Sequence, residues 1–195
     1  MSQTSFQVED YAGVSVVRLK SYDGTNRLTR TCIISLSERL HGLRHEARGL
    51  IIAGNSRSFS AGAELEEIAA LTGPTAYEFS RMGQRLMEKI ENFPAPVCAA
   101  ISGYCMGGGL DLALACHGRI AAPSALFGHR GAALGLITGW GGTQRLPRLI
   151  GKARALEMFV AAEKVGAARA LRMGLIDRIA EDPIAEACRW IRDIR

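Results

Sequence analysis

Twice in this chain a short, wholly apolar run leads into a cluster of small residues and then into a helical pattern. GLIIAG (49–54) precedes SFSAGAEL (58–65), and VCAAI (97–101) precedes GYCMGGGLD (103–111). Runs this brief and this apolar do not suit a surface helix and read as strands buried on both faces. Buried strand, small-residue turn and helix, repeated, is the unit of a layered α/β protein.

The rest of the chain fits that unit. Phe6 to Val8 and Val14 to Leu19 flank Gly13 and predict a hairpin. Ile33, Leu36, Leu40 and Leu43 recur at helical spacing within a predicted helix from Thr31 to Ala47. Phe79, Met82, Leu86 and Ile90 do the same between Ala76 and Asn92. The run Gly107 to Gly109 opens a helix through Ala115, and Arg119 to Ala122 and Leu126 to Phe127 read as extended pieces. Helices then dominate, at Thr143 to Ile150, Ala153 to Ala161, Ala167 to Met173 and Pro183 to Arg192, with a short strand within Gly174 to Ile179. No repeat or linker intervenes. The 195 residues, 48% of them hydrophobic, can bury one substantial core. One core domain is expected over residues 1–180, with a short helical piece over 181–195.

Charge narrows the function little. The 24 basic and 19 acidic side chains give a net charge of +5, spread along the chain without a basic helix or aromatic partners, which argues against nucleic acid as the partner. A mild positive excess would help attract an anionic ligand. Cys32, Cys98, Cys105, Cys116 and Cys188 lack metal-ligand spacing and sit mostly in apolar runs, so they read as reduced core residues. The first residues have no basic start followed by an apolar block, and no apolar stretch reaches membrane-spanning length, so a cytoplasmic location without a membrane partner is expected.

Both small-residue junctions permit close backbone approach. A ligand carbonyl between them could accept hydrogen bonds from main-chain N–H groups, with a helix N-terminus adding its positive end to stabilise a developing enolate. Losing one comparable donor costs about 3 to 4 kcal/mol of transition-state stabilisation. Either cluster alone serves equally well for turns and helix packing.

Taken together, the two junctions resemble the crotonase (enoyl-CoA hydratase/isomerase) family, in which a segment like FSAGAEL precedes one like GYCMGGGLDLALAC by a similar interval. The stretch from Phe127 to Ile179 continues the family's pattern, so the resemblance runs from about Val14 to Ile179. It implies a ClpP-like spiral of β-β-α repeats, here with a reduced C-terminal helical region of which 181–195 is the remnant. It also implies a coenzyme A thioester as the ligand, no cofactor beyond the coenzyme A carried by the substrate, no metal, and homo-oligomers that are trimers or dimers of trimers. Carried over by motif, Ala63 and Gly108 supply the two oxyanion-hole N–H groups. Ala61, Gly62 and Leu65 border the coenzyme A moiety, and Gly107 joins them as a substrate-binding residue.

The acids depart from the family pattern. Hydratases of the family use a glutamate in a GGG-x-E segment and another in an F-G-x-P-E segment; here those places hold Asp111 and Gly131. Aspartate reaches roughly 1.5 Å less far. Relatives with aspartate at the first place keep an acid at the second or near the position of Gly139, and both are glycine here. A positioned acid or base contributes about 100- to 10,000-fold in rate. His129 and Glu64 are the candidates to substitute, because imidazole shuttles protons near neutral pH; Glu64 can also simply serve a helix dipole. Asp111 can alternatively bond within its own helix. His41 and His45 have metal-like spacing without a third ligand and read as a solvated face, and His117 as a surface or capping residue.

Two functions follow. One is an enzyme of the hydratase/isomerase type, stabilising a thioester enolate with Asp111 as its acid/base. The other is a catalytically inactive acyl-CoA-binding or assembly subunit, favoured by Gly131. A structural or RNA-binding use ranks last, with only the net charge behind it.

Overall fold

Strand β1 (Ser5–Tyr11) turns through Ala12 and Gly13, at φ 54° and 81°, into the antiparallel β2 (Val14–Lys20). Two successive left-handed residues give the turn whose twist matches that of the strands. The computed structural model describes residues 5–45 and 47–194. The chain continues as β3 (Arg27–Leu28), α1 (Arg30–Leu43), β4 (Leu50–Ala53), β5 (Ser58–Ser60), β6 (Gly62–Ala63), α2 (Leu65–Ala69) and α3 (Gly73–Glu91). After these come β7 (Val97–Ile101), β8 (Tyr104–Met106), α4 (Gly108–Ala115), β9 (Gly118–Ala121), β10 (Leu126–Gly128) and a 3-10 turn (Gly131–Leu134). The last stretch holds α5 (Gly142–Ile150), α6 (Lys152–Ala161), β11 (Val165–Gly166), α7 (Ala167–Met173), β12 (Arg178–Ile179) and α8 (Pro183–Asp193).

The main sheet runs β1-β2-β4-β7-β9-β12, and every pair after the hairpin is parallel. A second sheet runs β11-β10-β8-β5. Each of β4, β7 and β9 is therefore followed by a strand of the second sheet and then by helix, which is the expected β-β-α winding. Alternation along the strands sorts their side chains between two faces. Val17, Leu19, Leu50, Ile52, Val97, Ala99 and Ile101 join the core under α1, α3 and α4. Val14, Val16, Ile51, Cys98, Ala100 and Ile120 face Ala187, Cys188 and Ile191 of α8. The C-terminal helix thus covers what would otherwise be a bare sheet face.

Some boundaries move. Helix α1 ends at Leu43 rather than Ala47, where Arg44 N closes a tight bond to His41 O, 3.3 Å, although Ala47 N still reaches Leu43 O, 2.9 Å; residue 46, inside the predicted span, lies outside the described residues. Helix α3 begins at Gly73, because Thr72 N donates to Thr75 Oγ1 (2.8 Å) and a proline sits in the first turn. The strand expected within Gly174 to Ile179 shrinks to Arg178–Ile179, since Gly174, at φ 78°, and Leu175 are spent closing α7. Pieces as short as β3, β6 and β11 carry too few residues to show a period in sequence.

Candidate active site

Buried polar groups build the first junction. Asn26 is fully buried, and its Nδ2 donates to the carbonyls of Ser58 (2.9 Å) and Phe59 (3.3 Å). Ser60 Oγ donates to Asn26 O (2.6 Å) and accepts from Gly62 N (3.1 Å), while Ala61 N donates to Thr25 O (2.9 Å). These bonds fix the path of β5 and β6, since each buried group left unpaired would cost about 1 to 3 kcal/mol. At the second junction, Gly107 adopts φ 50° and bonds Gly128 O through its N–H (2.9 Å), and α4 starts at once. Gly108 is its first residue, so its N–H has no partner within the helix.

The junctions press backbone against backbone. A β-carbon on Gly62, itself at φ 96°, would lie 2.7 Å from Met106 O and 3.0 Å from Gly108 N. One on Gly109 would lie 2.6 Å from Ser60 O, and one on Gly108 would overlap the Trp140 ring and sit 3.3 Å from Ala63 N. Small residues at these places bring the amides of Ala63 and Gly108 side by side.

Ala63 and Gly108 both border a cavity of about 430 Å³. Ala61, Gly62, Leu65 and Gly107 line it too, as do Asp111, His129, Gly131 and Gly139. Every residue assigned by motif therefore meets at one site. The sequence reading missed its apolar wall, formed by Phe79, Trp140 and Phe159 among others, and it missed Thr138. Trp140 is held by Phe79, with ring centroids 5.4 Å apart.

Asp111 lies in the first turn of α4 and is only 1% exposed. Its Oδ2 accepts a hydrogen bond from Thr138 Oγ1. Its Oδ1 faces His129 Nε2 at 3.5 Å, without the alignment of a hydrogen bond, and neither atom has another partner among the described residues. Burial pushes the Asp111 carboxyl up to about 7, against the opposing pull of Thr138, Arg145 and the nearby amides of Trp140 and Gly142. Burial pulls the His129 imidazole down to about 4. Near neutral pH the imidazole is therefore uncharged, while the carboxyl is close to the midpoint of its titration.

Opposite slopes of stability follow. A carboxyl raised in the folded state contributes stability that is present below about pH 4 and lost as pH rises towards 7. An imidazole lowered in the folded state contributes stability present above about pH 6.5 and lost as pH falls towards 4. The two offset each other in the native chain between these limits. His129→Gln is expected to lose stability as pH rises from 4 to 7, and Asp111→Asn to gain it from 4 to 6.5, each by a few kcal/mol in urea unfolding. Parallel profiles for the two variants would contradict the buried placement.

Other candidates lie elsewhere. Glu64 caps α2 without a side-chain cap bond, approaches Arg27 at 4.0 Å and is not on the cavity wall. His41 lines a separate surface depression with Arg44, Arg85 and Lys89, and His45 is exposed. His117 is a clamp, accepting from Val97 N at Nδ1 (2.9 Å) and meeting Glu91 O at 3.0 Å. The five cysteines are free and buried. Among the described residues no helix is long and apolar enough to cross a membrane.

Comparison with known proteins decides the kinship. The family model described as "Enoyl-CoA hydratase/isomerase" matches residues 9–192. The chain belongs to the enoyl-CoA hydratase/isomerase family. A Bacillus subtilis relative named "Probable enoyl-CoA hydratase" is 40% identical over 185 residues, which are 93% of this chain and 70% of the relative. An enoyl-CoA hydratase from Bacillus anthracis superposes with a TM-score of 0.90 at 35% identity, covering 97% of this chain and 76% of its own. DspI from Pseudomonas aeruginosa gives 0.91 at 32% identity, with 97% and 74% covered. The fold is that of the crotonases.

At Gly131, where the resemblance puts the second acid, the backbone leaves a side chain little room. A β-carbon on Gly131 would lie 2.7 Å from Leu136 O and 3.2 Å from its carbonyl carbon, both backbone atoms. Gly131→Glu is therefore expected to destabilise the chain by about 1 to 3 kcal/mol, as overpacking does, without raising turnover. Thermal melting and a hydration assay on the variant check this, and a gain of activity would contradict it.

Proposed function

We propose that the chain acts on acyl-CoA thioesters as an enzyme of the enoyl-CoA hydratase/isomerase type, holding a thioester enolate between the N–H groups of Ala63 and Gly108. The observation that carries the reading is the adjacency of those two amides on the wall of a cavity that also presents Asp111. In the hydration step, a base takes a proton from water as its oxygen bonds to the β-carbon. The displaced electron pair moves to the thioester oxygen, where two preorganised donors stabilise it, and Asp111 delivers a proton to the α-carbon. Double-bond isomerisation needs less: one group removes a proton at one carbon and returns it at another. Apolar lining from Phe79, Trp140 and Phe159 suits an apolar acyl chain.

A second reading, an acyl-CoA-binding subunit without turnover, is favoured by Gly131. Crotonyl-CoA separates the two. The enzyme reading expects loss of the enoyl absorbance with the native chain, and thioester binding without any turnover supports the binding subunit. Failure to bind at all would remove both.

A further inference from the structure

Among the described residues, Asp111 is the one carboxyl-bearing side chain on the cavity wall, yet hydration moves two protons. The group closest to its free oxygen is an imidazole. His129 follows β10 directly, lines the same cavity and is 4% exposed. Its Nε2 stands 3.5 Å from Asp111 Oδ1, and both atoms are buried and otherwise unpartnered among the described residues. Three local features hold this arrangement. Thr138 occupies Oδ2 and turns Oδ1 towards the ring. Phe159 packs against the imidazole, with ring centroids 5.0 Å apart. Gly142, the first residue of α5, leaves the gap open: a β-carbon there would overlap Asp111 Oδ1 and lie 3.0 Å from His129 Nε2. A carboxyl and an imidazole facing each other this way are within an ångström of a hydrogen bond, and such bonds commonly run long in ligand-free sites.

Resting on the acyl-CoA reading above, we propose that His129 is the second proton-transfer group of the site, paired with Asp111 in place of the missing carboxylate. In the resting pair Asp111 carries the proton and His129 is neutral. His129 takes a proton from water as the oxygen–carbon bond forms at the β-carbon, and the enolate electrons collect on the thioester oxygen. Asp111 then gives its proton to the α-carbon, leaving an imidazolium beside a carboxylate. Transfer of one proton from Nε2 to Oδ1 restores the resting pair, so no co-reactant is consumed. The charged or titratable neighbours are Arg145 on α5, which acts on Asp111, Cys105 on β8, which feels Asp111, and Arg27 and Arg130 on the cavity wall. No other carboxylate competes for the imidazole on that wall among the described residues.

The test has two arms. In the first, kcat/KM for crotonyl-CoA is measured across pH for the native chain, His129→Gln, Asp111→Asn and the double variant. His129→Gln is expected to lose about 100-fold or more, and the double variant to be only a few-fold worse than Asp111→Asn alone, because the pair acts as a unit. Native turnover and an unchanged pH profile in His129→Gln, or losses that multiply, would overturn the pairing. The second arm needs no turnover and no variant at position 129: the His129 ring is followed by NMR during a pH titration. A transition near neutral pH in the native chain that vanishes in Asp111→Asn supports the shared proton; the same titration in both proteins overturns it. A native chain that binds the thioester but never turns it over would instead sink the enzyme reading, and the ring titration would still decide whether the proton is shared.

Discussion

Asp111→Asn is expected to lower enoyl-CoA turnover by about 100- to 10,000-fold while leaving the fold and the thioester affinity nearly unchanged. Asparagine has the shape of aspartate and can still meet Thr138 Oγ1, so the packing of α4 against α5 persists. It cannot carry or release a proton. The substitution also removes a group that resists ionisation in its buried place, so folded stability at neutral pH should stay level or rise. Steady-state kinetics with circular-dichroism melting separates these effects. A fall in kcat at constant KM and an undiminished melting temperature is the expected pair of results. Native kcat in the variant would exclude Asp111 from proton transfer.

Gly62→Ala is expected to act through the backbone and to damage stability and turnover together. The residue sits at φ 96°, where side chains are strained, at a cost of about 1 to 3 kcal/mol. Its new methyl would meet Met106 O at 2.7 Å and Gly108 N at 3.0 Å, and neither is the end of a flexible side chain. The two junctions must part to admit it, which moves the amides of Ala63 and Gly108 relative to each other. Misplacement by about 1 Å costs roughly 100-fold, and loss of one oxyanion donor about 100- to 1,000-fold. A melting temperature lowered by several degrees with turnover down at least 100-fold is the expected outcome. Full activity in Gly62→Ala would show that these amides do not hold the reacting oxygen.

Much of the architecture was legible before any coordinates. LIIA and VCAAI, wholly apolar and short, became the central parallel strands, buried on every residue. The stripe Ile33, Leu36, Leu40, Leu43 became the buried face of α1, and Phe79, Met82, Leu86, Ile90 that of α3. The glycine-rich segments mark the site because their small residues are needed for steric reasons local to each turn. Boundaries were read less well where caps decide them, as at Thr72, or where two or three residues pair with a distant strand, as at β3 and β6.

The sequence by itself determined which segments are strands and helices, which face of each is apolar, and where backbone must approach backbone. Those properties follow from side-chain period, volume and the tolerance of glycine, all written within a few neighbouring residues. Only the tertiary structure decided what meets Asp111. Thr138, His129 and Gly142 stand 27, 18 and 31 positions from it, and α4, α5 and the end of β10 converge there through the winding of the two sheets. A proton-transfer pair depends on a few ångströms between side chains on separate elements, and no spacing along the chain encodes that distance.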